Sequence, residues 1–456
     1  MIEMICGGCG QRAPESSPFS CPNQGSDDID HVLAHRDSAD THRIDDDPNP
    51  FVRFRSLFSY YDAGRRHGMS DAELVALARE LDARIEAVDG TGFRETPVLS
   101  APNLGAAPFE PFSVFVKDET HNVSGSHKAR HLMGVALYLE VAERVGLRTR
   151  GSDLAISSCG NAALGAAVVA RAADRSLRVF VPTWAEPRVV DRLIALGAVV
   201  EPCERTDAVV GDPCTLRMRE AVRAGAIPFS CQGSDNGLAI EGGLSLGLEL
   251  ALQVARIPME GSGVLDRLFV QVGGGALLSS TVQAFREARR LGLIETVPKI
   301  FAVQAIGAAP LARAYTRLID HLGHEDPVSA DAVLHGEPLA SEVVDRTMSW
   351  AVAHRSQIMW PWDDPRSVAH GILDDETYDW AWIVRGLLES GGRPVTVSEE
   401  ALVEANQLGR SATNIRACAT GTSGLAGMIT LARRHEIRPY ENVAVLFTGI
   451  DRQEAP

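Results

Sequence analysis

A chain of 456 residues is long enough for two domains, or for one large core with a second lobe. With 45% hydrophobic and 23% charged residues it reads as an ordinary soluble globular protein. A net charge of −16 argues against broad binding to nucleic acid or to acidic membranes, both of which need basic surface, but leaves a small anionic ligand open.

The N-terminus, MIEMICGGCG, lacks the charged-then-apolar pattern of a secretory leader, and no apolar run suggests a membrane span. Eight cysteines spread over this length do not make a disulfide scaffold, so a reducing cytoplasm is the expected location. The first fifty residues stand apart: Cys6-x-x-Cys9, then Cys21, then the acidic, His-rich SDDIDHVLAHRDSADTHRIDDD. They read as a small appendage and a linker ending at Pro48-Asn49-Pro50. Next, residues 70–88 have the spacing of an amphipathic helix, with Ser70 or Asp71 placed to cap it.

From about residue 112 apolar strands alternate with helical segments. PFSVFVK (111–117), DLAISS (153–158), RVFVPT (178–183), AVVEPC (198–203) and IPFSCQ (227–232) read as strands; LDRLFVQVGGG, PKIFAVQAIG and NVAVLFTG repeat the scheme. Strands joined by helical crossovers predict an open α/β fold with mostly parallel sheets covered by helices, in two lobes.

Three strand-to-helix loops could carry chemistry, at the strand ends where open parallel sheets place ligands. The first, VKDETHNVSGSHKARHL (116–132), holds Lys128, one of only three lysines among 44 basic residues. A lysine amine can condense with an aldehyde, which arginine cannot do; the plain alternative is an exposed helix lysine. No GxxxxGK followed by Ser or Thr is present, so a nucleotide P-loop fits poorly. The second, ISSCGNAALG (156–165), could hold a carboxylate on backbone amides with Ser157, Ser158 and Asn161, or Asn161 could simply cap the helix. The third, VQVGGGALLSS (270–280), offers Gly273, Gly274 and Gly275 before a helix, either a phosphate seat or a packing device. Its spacing is not the dinucleotide GxGxxG.

Taken in order, these motifs resemble the fold-type II pyridoxal-phosphate enzymes, a family that includes threonine synthase, serine/threonine ammonia-lyase, cysteine synthase and the tryptophan synthase β chain. The resemblance runs from Thr96-Pro97-Val98 through Lys117-x-Glu119-x-x-Asn122, Ser124-Gly125-Ser126-His127-Lys128-x-Arg130, Ser158-Cys159-Gly160-Asn161, Asn236 with Glu241-Gly242, and the 273–275 turn, to Thr448-Gly449. It implies that Lys128 tethers the cofactor's aldehyde and later shuttles the Cα proton, with His127 beside it. Asn161 would bond the cofactor's 3-hydroxyl. Gly273, Gly274, Gly275 and Ala276 would cradle its phosphate, and Thr448 would face its ring nitrogen, with Asp451 a nearby rival. Ser157, Ser158, Cys159 and Gly160 would lie beside the substrate carboxylate. A neutral Thr448 would leave the ring less protonated, favouring loss of a β or γ leaving group. The same resemblance implies a large cofactor domain (48–128 and 236–456), a small α/β domain (129–235) and a homodimer, while the net charge of −16 leads us to expect no nucleic-acid or membrane partner.

Residues 1–47 resemble the zinc ribbon of some threonine synthases, in which two cysteine pairs hold a structural metal. Here Gln24 stands where a fourth cysteine belongs, leaving Cys6, Cys9 and Cys21, with His31 as a possible fourth ligand. The stretch NPFVRFRSLFSYY (49–61) also resembles threonine synthases, whereas Lys128-Ala129-Arg130 resembles the ammonia-lyases, and Ala162 replaces the usual threonine of the synthases. The expected activity is a pyridoxal-phosphate lyase acting on an amino acid, threonine-synthase-like. A serine/threonine or diaminopropionate-type ammonia-lyase is the alternative, and a catalytically silent cofactor- or amino-acid-binding relative a further one. The segment 354–384, rich in Trp, His and acids, matches no motif; it is a lid or specificity element, or a packed extension.

Overall fold

The computed structural model describes residues 2–25, 27–37, 42, 44–106, 109, 111–205, 211–259 and 261–452. Positions 38–41 and 43 of the expected linker lie outside the described residues. The chain folds into two compact units, one of residues 1–23, 31–95 and 121–245, the other of 24–30, 96–120 and 246–456.

The first unit opens with an antiparallel pair, β1 (Ile2–Cys6) and β2 (Leu33–Asp37). The helix Asp71–Asp89 follows, and Ser70 is its cap: its hydroxyl accepts the Glu73 N–H while the Glu73 carboxylate accepts the Ser70 N–H. The unit's sheet is four parallel strands in the order β7 (Val199–Cys203), β6 (Leu177–Pro182), β5 (Leu154–Ser157), β8 (Ile227–Pro228).

The second unit's sheet has six strands in the order β11 (Arg393–Val397), β10 (Lys299–Ala305), β9 (Arg267–Gln271), β12 (Asn442–Phe447), β4 (Ser113–Asp118), β3 (Val98–Ser100). All neighbours are parallel except the edge pair β3–β4. Phe269 and Phe301 stack across β9 and β10 with ring centroids 4.7 Å apart, within a core that includes Val303, Met428, Val445 and Phe447. Because the chain leaves β9 for β10 on one side while β12 lies on the other, β9 is a switch point of strand order, where such sheets place ligands.

Three expectations change. The strand drawn over 227–232 is only Ile227–Pro228, since the chain turns after Pro228. The sequence reading omitted β11, whose five residues carry little periodicity to read. The helix Gly237–Val254 does have the length and apolarity of a membrane span, but it is a core helix, 89% buried. Residues 48–95 and 121–128 lie in the same unit as residues 129–245. Tertiary bonds account for part of this: Ser59 donates its N–H and its hydroxyl to the buried Glu241 carboxylate at 2.9 and 2.7 Å.

Candidate functional site

Lys128 is the first residue of the helix Lys128–Arg144, with His127 in the cap position. The loop before it is locally strained: Ser124 has φ +56°, in the left-handed region that favours glycine. Asp89, at the C-terminal end of its helix, holds this turn by accepting the Ser124 N–H at 2.7 Å. Arg130 and Glu241 are buried in the same unit, and Arg130 donates to the Ser245 hydroxyl at 3.2 Å. The helix meets the Gly237 helix closely, since a Cβ at Gly134 would lie 2.7 Å from the Gly242 Cα. Among the described residues the Lys128 amine has no hydrogen-bond or ion-pair acceptor. One turn on, His131 Nδ1 lies 2.7 Å from the Ala239 carbonyl; burial first, then the positive charges of Lys128 and Arg130, lower its pKa to about 3. The imidazole is therefore neutral, and Nδ1–H is the donor to that carbonyl.

The second loop lies in the same unit. Gly160, not Asn161, takes the cap position of the helix Asn161–Ala172, and Asn161 is the first helical residue. The Ser158 hydroxyl accepts the Gly160 N–H at 3.3 Å, and the Ser157 hydroxyl lies 3.4 Å from that of Thr215. Ser157, Ser158, Cys159 and Gly160 are all half-buried, and burial raises the Cys159 pKa. Gly165 brings this helix against the start of the Lys128 helix: a Cβ there would meet the Ala129 nitrogen at 3.1 Å. The two loops thus hang on neighbouring helix N-termini.

In the second unit, Gly273, Gly274 and Gly275 follow β9, and Ala276 begins the helix Ala276–Arg290 with Gly275 as its left-handed cap at φ +102°. The turn behaves as an anion seat, since the Asp374 carboxylate accepts the Gly274 N–H at 2.7 Å. A Cβ at Gly273 would fall 2.8 Å from the Ile372 Cα, so only glycine leaves room there. Thr448 closes β12 beside this turn, 2% exposed. Its hydroxyl oxygen accepts from Gln271 Nε2 at 2.6 Å, and the same nitrogen faces the Gly421 and Leu446 carbonyls at 2.9 and 3.3 Å. Those two carbonyls fix which end of the amide is nitrogen. Asp451 is committed elsewhere, paired with Arg410 at 2.9 Å.

In the first unit the Lys128 amine, which has no described acceptor, has the chemistry an aldehyde needs. In the second, a glycine turn that takes a carboxylate and a buried hydroxyl have the chemistry a phosphate and a ring nitrogen need. These are the group types that pyridoxal phosphate would require. Sequence reasoning missed Gln271, Asp89, His131 and Asp374. Gln271 had a signal, as the polar residue in the buried apolar run RLFVQV; Asp374 had none.

At the N-terminus, Cys6, Cys9, Cys21 and His31 converge, with one ligand atom from each all lying within 4.8 Å of one another. Burial pushes the Cys6 thiol up to about 12. Burial also acts upward on Cys9, but the Gln11 N–H and the neighbouring sulfurs outweigh it and lower that thiol to about 7.

The profile of the "pyridoxal-phosphate dependent enzyme" family matches residues 90–449. Among curated proteins, the chain is 22% identical over 339 residues to the threonine synthase of Methanosarcina acetivorans, spanning 74% of this chain and 69% of that protein. It is 32% identical over 197 residues to the L-serine dehydratase/L-threonine deaminase of Mus musculus, spanning 43% and 53%. Among solved structures, maize serine racemase superposes with TM-score 0.57 at 18% identity, covering 83% of this chain and 94% of that one. Threonine deaminase isoform 2 from Solanum lycopersicum gives TM-score 0.54 at 17% identity, covering 85% and 92%. With most of its length matched, the chain belongs to the pyridoxal-phosphate-dependent enzymes.

Proposed function

We propose that this protein is a pyridoxal-phosphate-dependent lyase that removes a β or γ substituent from an amino acid, in the manner of threonine synthase. The observation that carries the reading is the Lys128 amine, which no described group of the protein engages. Its Nζ would tether the cofactor's aldehyde and, once displaced by substrate, take the proton from Cα and return it where the reaction requires. When bound, pyridoxal phosphate supplies an electron sink for the charge left at Cα. The glycine turn at 273–275 and Ala276 would hold its phosphate, and Asn161 its 3-hydroxyl. The 157–160 turn would orient the substrate carboxylate at a helix N-terminus. Thr448, a neutral hydroxyl, would not impose a proton on the ring nitrogen as a carboxylic acid would; this supports elimination chemistry.

Two features favour an ammonia-lyase as the second reading: Lys128-Ala129-Arg130 resembles those enzymes, and the chain partly matches the mouse dehydratase. A substrate panel separates the two. Release of inorganic phosphate from O-phosphohomoserine supports the synthase, whereas ammonia with a keto acid from serine, threonine or 2,3-diaminopropionate supports the lyase. A chain that fails with all of these while binding the cofactor would sink both.

We infer in addition that Cys6, Cys9, Cys21 and His31 form a structural zinc site. Three thiolates and one imidazole are a standard tetrahedral set, and His31 supplies the ligand missing at Gln24. One equivalent of zinc by elemental analysis, lost in Cys6→Ser, is expected; a metal-free wild-type protein overturns it.

A further inference from the structure

The segment 354–384 reaches the glycine turn at three points. Asp374 Oδ2 accepts the Gly274 N–H at 2.7 Å, the Thr377 hydroxyl donates to the Gly273 carbonyl at 3.0 Å, and the Asp379 N–H donates to the Gly274 carbonyl at 3.0 Å. The side chains of Thr377, Asp379 and Ile383 also surround Gly275. Thr377 and Asp379 are buried, whereas Asp374 is only half-buried. The backbone of the segment is pinned nearby by the Trp362 N–H to the Asp375 carbonyl (2.8 Å) and by an ion pair between Arg355 and Glu376.

The geometry is that of an anion on its seat. A phosphate needs the same N–H and the same space over Gly273, and a carboxylate at hydrogen-bond distance would repel it. We propose that Asp374 is a built-in competitor for the phosphate seat: the cofactor's phosphate and the Asp374 carboxylate occupy the Gly274 amide alternately, so cofactor affinity is set by how readily this side chain leaves. Thr377 and Asp379 keep the segment docked while the half-exposed Asp374 swings away, so cofactor loading displaces a side chain rather than the whole segment. This rests on the reading of the protein as a pyridoxal-phosphate enzyme and assigns to the segment a role in cofactor retention.

Asp374→Asn tests it. An asparagine has the same shape, so the fold around the turn is kept, while loss of the charge weakens the hold on the Gly274 N–H and removes the repulsion of a phosphate. The full-length protein, resolved of cofactor, is titrated with pyridoxal phosphate and separately with pyridoxal, and binding is read by absorbance. Asp374→Asn should bind pyridoxal phosphate about tenfold more tightly than wild type, the gain expected if the carboxylate holds the seat in roughly nine molecules of ten. Pyridoxal, which lacks the phosphate, should show no such gain. Equal affinities of the two proteins for pyridoxal phosphate, or an equal gain for pyridoxal, would overturn the proposal.

A second measurement uses the same two proteins, free of cofactor. Inorganic phosphate should slow hydrogen exchange around the Gly274 amide at about tenfold lower concentration in Asp374→Asn than in wild type, because only wild type must first release a carboxylate from that amide. Phosphate that binds both proteins with one affinity and one exchange pattern overturns the proposal as well. Borohydride trapping of the cofactor on Lys128, carried out on both proteins, reports on the enzyme reading separately: an adduct absent from both defeats that reading, while the phosphate comparison still decides this one.

Discussion

Lys117 and Lys128 stand on either side of one loop and have opposite surroundings. Lys117, at the end of β4, is fully buried; its amine donates to the Glu249 carboxylate at 2.9 Å, and to the Thr96 carbonyl and Gln253 Oε1 at 2.8 Å each. Lys299, the third lysine, donates to the Gly336 carbonyl at 2.6 Å. Lys128 alone has an amine that no described group engages. A lysine with three acceptors is structural, because withdrawing its charge strands a buried carboxylate. One left without them is available for chemistry. The lesson is that the partners of the nitrogen, rather than its burial or its motif, separate the two roles.

The largest way to break this contrast is at the available lysine. Lys128→Ala should lower turnover by about a thousandfold or more and abolish the borohydride adduct, with an unchanged urea midpoint. Turnover surviving within tenfold would place the chemistry elsewhere. Next is the structural lysine: Lys117→Met should cost about 3–5 kcal/mol by leaving Glu249 buried and unpaired. The added change Glu249→Leu should recover most of that loss, read from urea unfolding of both variants. If the single variant unfolds like wild type, Lys117 is not the anchor described here.

A smaller effect sharpens the contrast on the Lys128 side. Asp89→Ala removes the acceptor of the Ser124 N–H beside the left-handed turn, and should destabilise the loop by about 1.5–3 kcal/mol. Faster hydrogen exchange over residues 122–127, together with reduced turnover, would report it; unchanged exchange would dismiss the contact. The smallest effect is a slope. His131 has its pKa lowered from 6.5 to about 3, mainly by burial, so between those values the unfolded chain binds a proton that the native chain refuses. Stability from this group is complete above pH 6.5 and is lost as pH falls, by about 1.4 kcal/mol per pH unit. His131→Gln should flatten the pH dependence of the urea midpoint by that amount, and an identical slope would show that the imidazole is not held neutral.

Much of the fold was readable in advance because a parallel sheet announces itself: buried strands such as RLFVQ and NVAVLF are continuous apolar runs separated by helical crossovers. The short strands were harder. β8 is two residues, and β11 five with a proline; at such lengths neighbouring strands decide the pairing. The capping box at Ser70 was legible because its hydrogen bonds span three residues. The division into units was not, since what ties residues 48–95 to 121–245 includes bonds such as Ser59 to Glu241 across the chain.

The amino-acid order on its own determined the family, the strand-and-helix plan, and which lysine, glycine turn and threonine to examine, because these depend on local spacing and on side-chain type. Only the tertiary structure decided which amine lacks an acceptor, that Gln271 donates to the Thr448 hydroxyl, that His31 joins three cysteines, and that Asp374 sits on the Gly274 amide. Each of these joins positions well separated along the chain, and such a contact has no periodicity for a sequence to display.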